Sequence, residues 1–541
     1  MTDHYDVIVI GSGAGGGTMA YALAPTGARI LLLERGDYLP REVENWNSAE
    51  VWTTKRYHNS GSWTDAATGK AFEPKQHYYV GGNTKVYGAI LFRMRERDFG
   101  EVQHVDGVSP AWPIGYADLE PWYTRAERLY RVRGERGVDP TDPPSDSPYP
   151  FPPISHEPRI GRLHEDLAAA GLHPFWLPNG ILLDEHQPQL SACIRCATCD
   201  GYPCLVNGKA DAQVVCVEPA LRHPNVQLIT GAMVTRLETG ADGRRVERVV
   251  VERDGRLEDY HADVVVVAAG AINSAALLLG SGSETHPDGL GNSSGLVGRN
   301  LMLHNNSSLI AFSKAPNPTK FQKTLGINDF YFGDDDWAYP LGAMQMLGKS
   351  DAVLIGFDAP AAADPADLAR HAIDFWLTTE DLPLPDNRVT LGPDGGIRLA
   401  YTPTNLEAHR RLRQKFEGLL GAMQCRDDVL ENYSYRGGRL GISGVAHQNG
   451  TMRFGSDPAD SVLDLDCRLH DVDNVYVADS SFFVSSSAVN PTLTIIANAL
   501  RVAGRVALRL GLRESTVTAR LDTDPDLFEA GLPLSLIRQG V

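Results

Sequence analysis

The strongest constraint on the fold of this chain lies in residues 6–34, where a glycine-rich turn joins two apolar segments. Residues 6–10 form a short β-branched run, which predicts a buried parallel strand. A helix of small residues is predicted over about 14–24, and a second apolar strand is predicted over 28–33. The order of strand, glycine-rich turn, helix and strand is typical of a dinucleotide-binding unit.

The glycines of this turn have the spacing G-x-G-x-x-G. Gly11 allows the tight turn, Gly13 lets the backbone approach a pyrophosphate, and Gly16 lets the helix lie close to the strand. The helix that begins near Ala14 presents unpaired N–H groups and a partial positive charge to phosphates. Glu34 ends the second strand, where an acid that binds a ribose is expected. The alternative interpretation is a glycine-rich turn between strand and helix in another kind of α/β protein.

Length and charge narrow the class of protein. With 541 residues the chain is too long for one simple core, so we expect two domains. The net charge of −18 argues against nucleic acid and against an anionic membrane surface as partners. No apolar run in the sequence reaches the length of a membrane span. Because the first predicted strand begins near residue 6, there is no room for a signal peptide, and we expect a cytoplasmic location.

Two later parts of the chain are predicted to complete the nucleotide-binding domain. Residues 226–229 form an apolar strand, and 262–270 form a buried strand that ends in small residues and leads into a helix over 272–279. Residues 474–479 form another strand, and a long helix follows over 493–510. One sheet is therefore expected from three separated segments.

The segments between these parts differ in composition. Apolar and β-branched runs predict a strand over 303–312 and a hairpin over 387–401. The apolar spacing of 406–424 predicts an amphipathic helix that covers a sheet. The proline-rich residues 139–158 predict an extended loop. Residues 513–541 are expected to form a polar tail, packed on the surface or on a partner subunit, so a homo-oligomer is a candidate assembly.

Several motifs occur in the order that is found in one enzyme family. They are the N-terminal glycine motif, Val80-Gly81-Gly82, residues 267–272, residues 296–301 and Asn490-Pro491-Thr492-Leu493-Thr494. From residue 5 to about residue 512 the chain resembles the glucose-methanol-choline (GMC) oxidoreductases, which are FAD-dependent alcohol oxidases and dehydrogenases. Residues 447–453 and 488–492 are most similar to the motifs of pyranose oxidases and bacterial glycoside oxidases.

The resemblance implies a fold of class α/β plus α+β. It consists of a Rossmann-like FAD-binding domain built from discontinuous segments and a substrate-binding domain of antiparallel sheet covered by helices. We expect the FAD-binding domain in 1–95, 215–305 and 440–515, the substrate-binding domain and lid in 96–214 and 306–439, and a C-terminal tail in 516–541.

The resemblance also implies a catalytic pair, His447 and Asn490. Oxidation of an alcohol needs a base for the O–H proton while hydride leaves the carbon for flavin N5, and a neutral imidazole suits this task near pH 7. Asn490 can hydrogen-bond the same oxygen and hold it in place. The helix that Pro491 and Thr492 open would direct its N-terminal dipole toward the reduced flavin. The alternative for His447 is a structural histidine in a turn.

The cofactor-binding residues follow from the resemblance. They are Gly11, Gly13, Ala14, Gly16, Glu34, Arg35, Gly81, Gly82, Asn83, Val234, Ala269, Asp479, Asn490, Pro491 and Thr492. The second glycine pair and Asn83 are expected near the isoalloxazine, because glycine permits close backbone approach. Members with covalent FAD carry a histidine shortly after this pair. Residues 84–87 contain none, so we predict non-covalent FAD.

Four cysteines lie close together in the sequence: Cys193, Cys196, Cys199 and Cys204. Spacings of two residues are used by iron–sulfur and zinc ligands. However, the last spacing is four residues, and the stretch 204–209 resembles a loop of cluster-free GMC enzymes. We therefore expect no metal, and structural cysteines that are reduced or paired locally as disulfides. A redox carrier that joins a flavin to an iron–sulfur cluster is the alternative.

The substrate is the least constrained part of the prediction. The polar and aromatic residues of the candidate lid and sheet are Lys320, Phe321, Gln322, Trp376, Asn387, Arg388 and Gln448. This mixture suits a polyol, and we predict that Gln448, Asn387 and Arg388 bind substrate. The resemblance points to a sugar or glycoside oxidised at ring position C2 or C3, with oxygen or another acceptor taking the electrons. The alternative substrate is an aryl alcohol or an aminoglycoside hydroxyl.

Overall fold

The computed structural model of the chain describes residues 4–432, 442–444 and 446–523. The α-helices are α1 (Ala14–Leu23), α2 (Tyr116–Leu129), α3 (Pro158–Ala169), α4 (Glu218–Ala220), α5 (Ala271–Gly280), α6 (Ala352–Gly356), α7 (Pro365–His371), α8 (Leu406–Gly418), α9 (Thr492–Arg509) and α10 (Glu514–Thr523). The strands are β1 (His4–Ile10), β2 (Ile30–Leu33), β3 (Trp63–Asp65), β4 (Ala71–Phe72), β5 (Val102–Gln103), β6 (Val108–Ser109), β7 (Val132–Arg133), β8 (Phe175–Trp176), β9 (Asn179–Gly180), β10 (Val226–Ile229), β11 (Met233–Thr239), β12 (Val246–Arg253), β13 (Arg256–Val267), β14 (Met302–Leu303), β15 (Asn305–Ser313), β16 (Leu325–Ile327), β17 (Ala343–Met346), β18 (Ala372–Thr379), β19 (Arg388–Leu391), β20 (Ile397–Ala400), β21 (Cys425–Glu431), β22 (Gln448–Asn449) and β23 (Val475–Val477).

The larger sheet contains the strand–helix–strand unit predicted at the N-terminus. Strands β10, β2, β1, β13 and β23 lie side by side in this order and are parallel. The first half of β13 pairs instead with antiparallel β12, which pairs with β11. Strands from three separated parts of the chain thus form one sheet, which confirms that prediction.

The central parallel strands β1 and β2 are mainly apolar, and consecutive residues that point to opposite faces are both buried. Val9 and Val266, on neighbouring strands, are fully buried. Helix α1 packs on β1 and β2, and α9 packs in turn on α1. A strand that is buried on both faces has no solvent face, so its sequence does not alternate between apolar and polar residues.

The second large sheet is antiparallel, with the order β21, β15, β18, β17, β16 and β8. Helix α8 covers it, as the sequence predicted: Leu412 and Phe416 are buried, and the rings of Phe375 and Phe416 are 4.9 Å apart. The predicted hairpin is also present as β19 and β20, and β3 and β4 extend it to a four-stranded sheet. The fold is therefore the predicted combination of a mixed sheet with helices and an antiparallel sheet.

The predicted polar tail is partly wrong. Residues 514–523 form helix α10, which packs on α9 and α2. Val517 and Leu521 are buried, and their spacing of four residues places them on one helical face. Arg125 and Asp522 form an ion pair at 3.0 Å between the helices. The remainder of the predicted tail lies outside the described residues, and the bounds of the two domains stay a prediction.

Among the described residues, no helix combines the length and the apolar character that a membrane span needs. In the proline-rich segment 139–158, residues 139–157 contain no helix, as predicted, and α3 begins at Pro158, the last residue of the segment. Helix α8 ends at Gly418, earlier than the predicted residue 424, and the chain then turns into β21.

Candidate active site

A cavity of about 650 Å³ lies at the carboxyl ends of the parallel strands. Its wall includes residues 10–15 after β1, 33–35 at the end of β2, 268–271 after β13 and 479–480 after β23. In open parallel sheets, ligands bind at this edge, because the loops that follow the strands form a crevice there.

The first glycine turn leaves space on the cavity side and none on the protein side. Gly11 has φ +96°, which favours glycine, and a Cβ on Gly16 would lie 1.9 Å from the carbonyl oxygen of Gly11. Helix α1 therefore approaches β1 closely. A Cβ on Gly13 would meet no protein atom nearer than Cα of Gly82, at 4.0 Å. The open space beside Gly13 is thus bounded by the second glycine pair.

Three helices begin at the cavity wall. Ala14 opens α1, Ala271 opens α5 and Thr492 opens α9, and all three residues line the cavity. Pro491 directly precedes α9, as predicted. Helix N-termini carry unpaired N–H groups and a partial positive charge, so this wall is suited to an anionic ligand.

Glu34 connects the two glycine turns through Ser12. The Glu34 carboxylate is buried and accepts hydrogen bonds from Ser12 Oγ at 2.6 Å, from Ser12 N at 3.0 Å and from Gly36 N at 3.0 Å. Ser12 Oγ in turn accepts from the backbone N–H of Gly81 at 3.0 Å. Burial raises the pKa of Glu34, and these hydrogen bonds oppose the shift. Next to it, the Arg35 guanidinium lies 3.7 Å from the centre of the Tyr78 ring.

Asp479, which follows β23, makes a similar connection to the N-terminus of α5. Its carboxylate accepts from Gly270 N at 2.9 Å and from Ser274 Oγ at 2.5 Å, at the start of α5. It also accepts from Ser481 N at 2.9 Å. Burial raises the pKa of Asp479, while the hydrogen bonds lower it. The carboxylate therefore fixes the loop after β23 against the N-terminus of α5.

Most of the predicted cofactor residues meet in this one cavity. Those that line it are Gly11, Gly13, Ala14, Glu34, Arg35, Gly82, Asn83, Val234, Ala269, Asp479, Asn490, Pro491 and Thr492. Gly16 and Gly81 lie behind the wall, where they contact the first glycine turn.

His447 lines the same cavity and pairs with a second histidine, His304. The two Nδ1 atoms are 2.9 Å apart, and Nε2 of His304 is 3.1 Å from the carbonyl oxygen of Ser486. A carbonyl can only accept, so His304 carries its proton on Nε2. Burial lowers the pKa of His304 to about 4, which keeps this ring neutral near pH 7. His304 Nδ1 then accepts, and His447 Nδ1 donates, which makes Nε2 the basic nitrogen of a neutral His447.

Asn490 lies between an anchored loop and α9. Two residues earlier, the backbone N–H of Ala488 donates to the Tyr331 hydroxyl at 3.0 Å, and the N–H of Ser487 donates to Glu380 at 3.0 Å. Ser487 has φ +53°, a conformation that needs such support in a residue other than glycine. Asn490 itself lines the cavity, and its carboxamide makes no side-chain hydrogen bond within the described part of the chain.

Comparison with known proteins identifies the family. Models described as GMC oxidoreductase match residues 179–306 and 398–499. The chain is 33% identical to 6'''-hydroxyparomomycin C oxidase of Streptomyces lividus, over 94% of this chain and 92% of that protein. The chain belongs to the GMC oxidoreductases. It is also 32% identical to paromamine 6'-oxidase of Streptomyces fradiae, over 93% of this chain and 91% of the other.

Solved structures agree on the fold of this GMC oxidoreductase. The crystal structure of pyridoxine 4-oxidase from Mesorbium loti superposes with a TM-score of 0.59 at 21% identity, and the match covers 93% of this chain and 99% of the other. The GMC fold binds FAD, and its members oxidise CH–OH groups. The cavity fits this cofactor. The three helix N-termini and the space beside Gly13 can hold a pyrophosphate, and the buried Glu34 can hold a ribose.

Two of the residues predicted to bind substrate in this GMC oxidoreductase lie outside the cavity wall. Asn387 and Arg388 are not among the residues that line the cavity. The Asn387 carboxamide donates to the carbonyl of Thr402 at 2.9 Å and accepts from its N–H at 2.7 Å, which ties together the two ends of the β19–β20 hairpin. Of the other candidate lid and sheet residues, Trp376 and Gln448 line the cavity, whereas Lys320, Phe321 and Gln322 do not.

None of the four clustered cysteines lines the cavity, although Asp200, Gly201 and Pro203 of the same loop do. Cys193 and Cys199 are buried, Cys196 and Cys204 are half-buried, and all are free thiols. Cys204 Sγ accepts from the backbone N–H of Gly208 at 3.1 Å. In the part of the chain that the structure describes, no group of three or more His, Cys, Asp or Glu side chains is arranged to hold a metal.

Two residues of the site, Ser12 and His304, were not predicted from the sequence. Ser12 stands at a variable position of the glycine motif, where only its contacts with Glu34 and Gly81 reveal a role. His304 follows the motif at 296–301 by three residues, so its position beside a family motif was the available signal.

Proposed function

We propose that this protein oxidises a hydroxyl group on the ring of a sugar or glycoside, at C2 or C3, to a ketone, with FAD as cofactor. His447 acts as the base and Asn490 orients the substrate oxygen. The observation that supports this proposal most strongly is the pairing of His304 and His447 in the cavity that Asn490 and the N-terminus of α9 also line.

The residues of the site can perform this chemistry with ordinary proton transfer. When bound, FAD supplies the acceptor for the hydride that leaves the substrate carbon. Nε2 of His447 takes the hydroxyl proton, and the positive charge that forms on the ring is shared through Nδ1–H with His304. The Asn490 carboxamide has no partner within the described residues, so it is available to hydrogen-bond the same oxygen. The N-terminal dipole of α9 favours the negative charge that develops nearby.

An aminoglycoside alcohol is the second candidate substrate. It is favoured by the names of the two relatives above, which indicate action on a hydroxyparomomycin (33% identity) and on paromamine (32% identity). Both candidates are ring systems that carry several hydroxyls, and oxygen or another acceptor would then reoxidise the flavin. A cytoplasmic location accompanies the proposal.

We also propose that FAD is held without a covalent bond, because residues 84–87 offer no histidine after the second glycine pair. Precipitation of the protein with acid should release all of the yellow colour into the supernatant. Colour that stays with the precipitated protein would contradict non-covalent binding.

The substrate is tested by anaerobic titration of the purified protein with glucose, a C-glycoside, paromamine and benzyl alcohol in turn. The proposal predicts bleaching of the flavin bands by a neutral sugar or glycoside, with a ketone at C2 or C3 in the product. Bleaching by paromamine alone would favour the second candidate. Bleaching by benzyl alcohol alone, or by none of the four, would contradict the proposal.

A further inference from the structure

Gln345 is a polar side chain of the cavity wall that has no hydrogen-bond partner among the described residues. Gln345, on β17, lines the cavity and is only 5% exposed. Its Oε1 atom is buried without a hydrogen-bond partner, and no side-chain hydrogen bond of Gln345 occurs among the described residues. An unpaired buried amide costs about 1–3 kcal/mol, so a residue of this kind usually has a role that compensates for the cost.

The other amides of the wall show that this is not a general property of the cavity. Gln76 donates to Gln448 at 2.8 Å. Asn83 accepts from the backbone N–H of His77 at 2.9 Å, and Asn273 accepts from the Tyr78 hydroxyl at 3.3 Å. Within the described part of the chain, only Gln345 and Asn490 among the amides of the wall make no side-chain hydrogen bond. Asn490 is the residue already proposed to contact the substrate. The carboxamide of Gln345 likewise makes no side-chain hydrogen bond within the described residues.

An indole lies directly beside this amide. Gln345 on β17 pairs in register with Trp376 on β18, so the two side chains project from the same face of the sheet. Trp376 also lines the cavity and packs with Val51, Tyr57 and Leu347, which line it too. These side chains form an apolar and aromatic part of the wall beside the neutral amide of Gln345, and Asp200, which also lines the cavity, accepts from the backbone N–H of Gly348.

We propose that Gln345 and Trp376 form a binding site for the sugar ring of the substrate. The C–H face of a pyranose packs on the indole, and neighbouring hydroxyls of the ring exchange hydrogen bonds with the carboxamide, which can both donate and accept. A neutral amide is suited to hydroxyls, whereas an ammonium group would call for a carboxylate. This inference rests on the proposed function, because it assumes that the substrate carries a sugar ring. It adds the residues that select such a ring over a simple alcohol.

The test compares the wild type with Gln345→Leu, which removes both hydrogen bonds but keeps a similar volume. Met344→Leu is the matched control, since Met344 is the preceding residue of the same strand and projects from the opposite face. Flavin reduction is measured anaerobically with methyl β-D-glucoside and its monodeoxy analogues. We expect Gln345→Leu to raise KM for the glucoside about 5-fold, the effect of a lost hydrogen bond, with a nearly unchanged limiting rate.

The deoxy analogues locate the contact. In the wild type, removal of one or two particular ring hydroxyls should raise KM. In Gln345→Leu, removal of the same hydroxyls should have no further effect on KM. Trp376→Phe, which keeps an aromatic ring, should raise KM for every analogue by a similar factor. A second readout is independent of activity: Gln345→Leu should keep or increase the free energy of unfolding, because an apolar side chain replaces an unpaired buried amide.

Two results would overturn the inference. The first is an unchanged KM and an unchanged pattern of deoxy penalties in a folded, FAD-containing Gln345→Leu protein that still oxidises the glucoside. This outcome would leave the proposed function intact. The second is a wild type whose flavin is reduced by none of the sugars tested, which would contradict the proposed function and the inference together.

Discussion

His304 and His447 meet through their Nδ1 atoms at 2.9 Å, and the bond from His304 Nε2 to the carbonyl of Ser486 sets the direction of the hydrogen bond between them. A neutral His304 must accept, so His447 must donate through Nδ1. The basic nitrogen of His447 is then Nε2. His304 is thus a positioning residue in this account, since it acts on the substrate only through His447.

Replacement of His304 should therefore slow proton transfer without weakening substrate binding. We expect His304→Ala to lower the rate of flavin reduction about 10- to 100-fold, with little change in KM, because the ring of His447 loses the partner that selects its tautomer. His304→Asn should recover part of the rate, since an amide oxygen can accept in place of Nδ1. His173→Ala removes an exposed histidine and serves as the control. Equal reduction rates in wild type and His304→Ala would refute the positioning role.

The two glycines Gly13 and Gly15 allow a matched test of the cofactor site. A Cβ on Gly15 would lie 1.6 Å from the carbonyl oxygen of Ala478, so Gly15→Ala should disrupt the packing of α1 on the sheet and the fold itself. Gly13 has φ −68° and open space toward the cavity, so Gly13→Ala should fold normally. Its methyl group would occupy the space where the pyrophosphate is expected, and we predict FAD affinity at least about 10-fold lower. Thermal unfolding and titration with FAD separate the two effects, and wild-type FAD affinity in Gly13→Ala would count against this placement.

The half-buried His409, on α8, predicts a loss of stability in acid. Its Nε2 lies 2.9 Å from Ser307 Oγ and its Nδ1 lies 3.1 Å from Thr379 Oγ1. Burial, together with Arg413, lowers the pKa of His409 from 6.5 to about 4. Between these values the unfolded chain binds a proton that the folded protein does not, so the free energy of unfolding falls as the pH falls from 6.5 to about 4.

His409→Gln isolates this contribution. Other groups titrate in the same range, and the raised pKa values of Asp374 and Asp381, both about 6, act in the opposite sense. These contributions are common to both proteins and cancel in the comparison. We expect the wild type to lose up to roughly 3 kcal/mol more stability than His409→Gln between pH 6.5 and 4, measured by urea unfolding. Parallel pH profiles for the two proteins would show that His409 does not titrate in this way.

Much of the fold could be predicted from local patterns in the sequence. The strand–helix–strand unit at residues 6–34 was predictable because buried parallel strands and a glycine turn leave a direct signal in the sequence. The helix at 514–523 was missed because its mean composition is polar, and only the pair Val517 and Leu521 marks its buried face.

The site was predictable only where a family motif marked it. His447 and Asn490 were found by resemblance, and the structure brings both to one cavity. The contact of His304 with His447 joins residues 143 positions apart, and the pairing of Gln345 with Trp376 depends on strand register. Asn387 shows the converse case, since a polar residue in a strand reveals nothing about its partner until the hairpin pairing is known. Composition and periodicity do not show which residues far apart in the sequence contact each other, so these parts of the site could not be predicted.

The most direct test of the account is anaerobic stopped-flow reduction of the flavin by methyl β-D-glucoside, or by paromamine if the titration favours it. Wild type and His447→Ala are compared at equal FAD content. The account predicts that the substitution slows reduction at least about 100-fold while the flavin spectrum and the thermal midpoint stay unchanged, because only the base is lost. Reduction of His447→Ala at the wild-type rate would contradict the role of His447 and, with it, the mechanism proposed for this site.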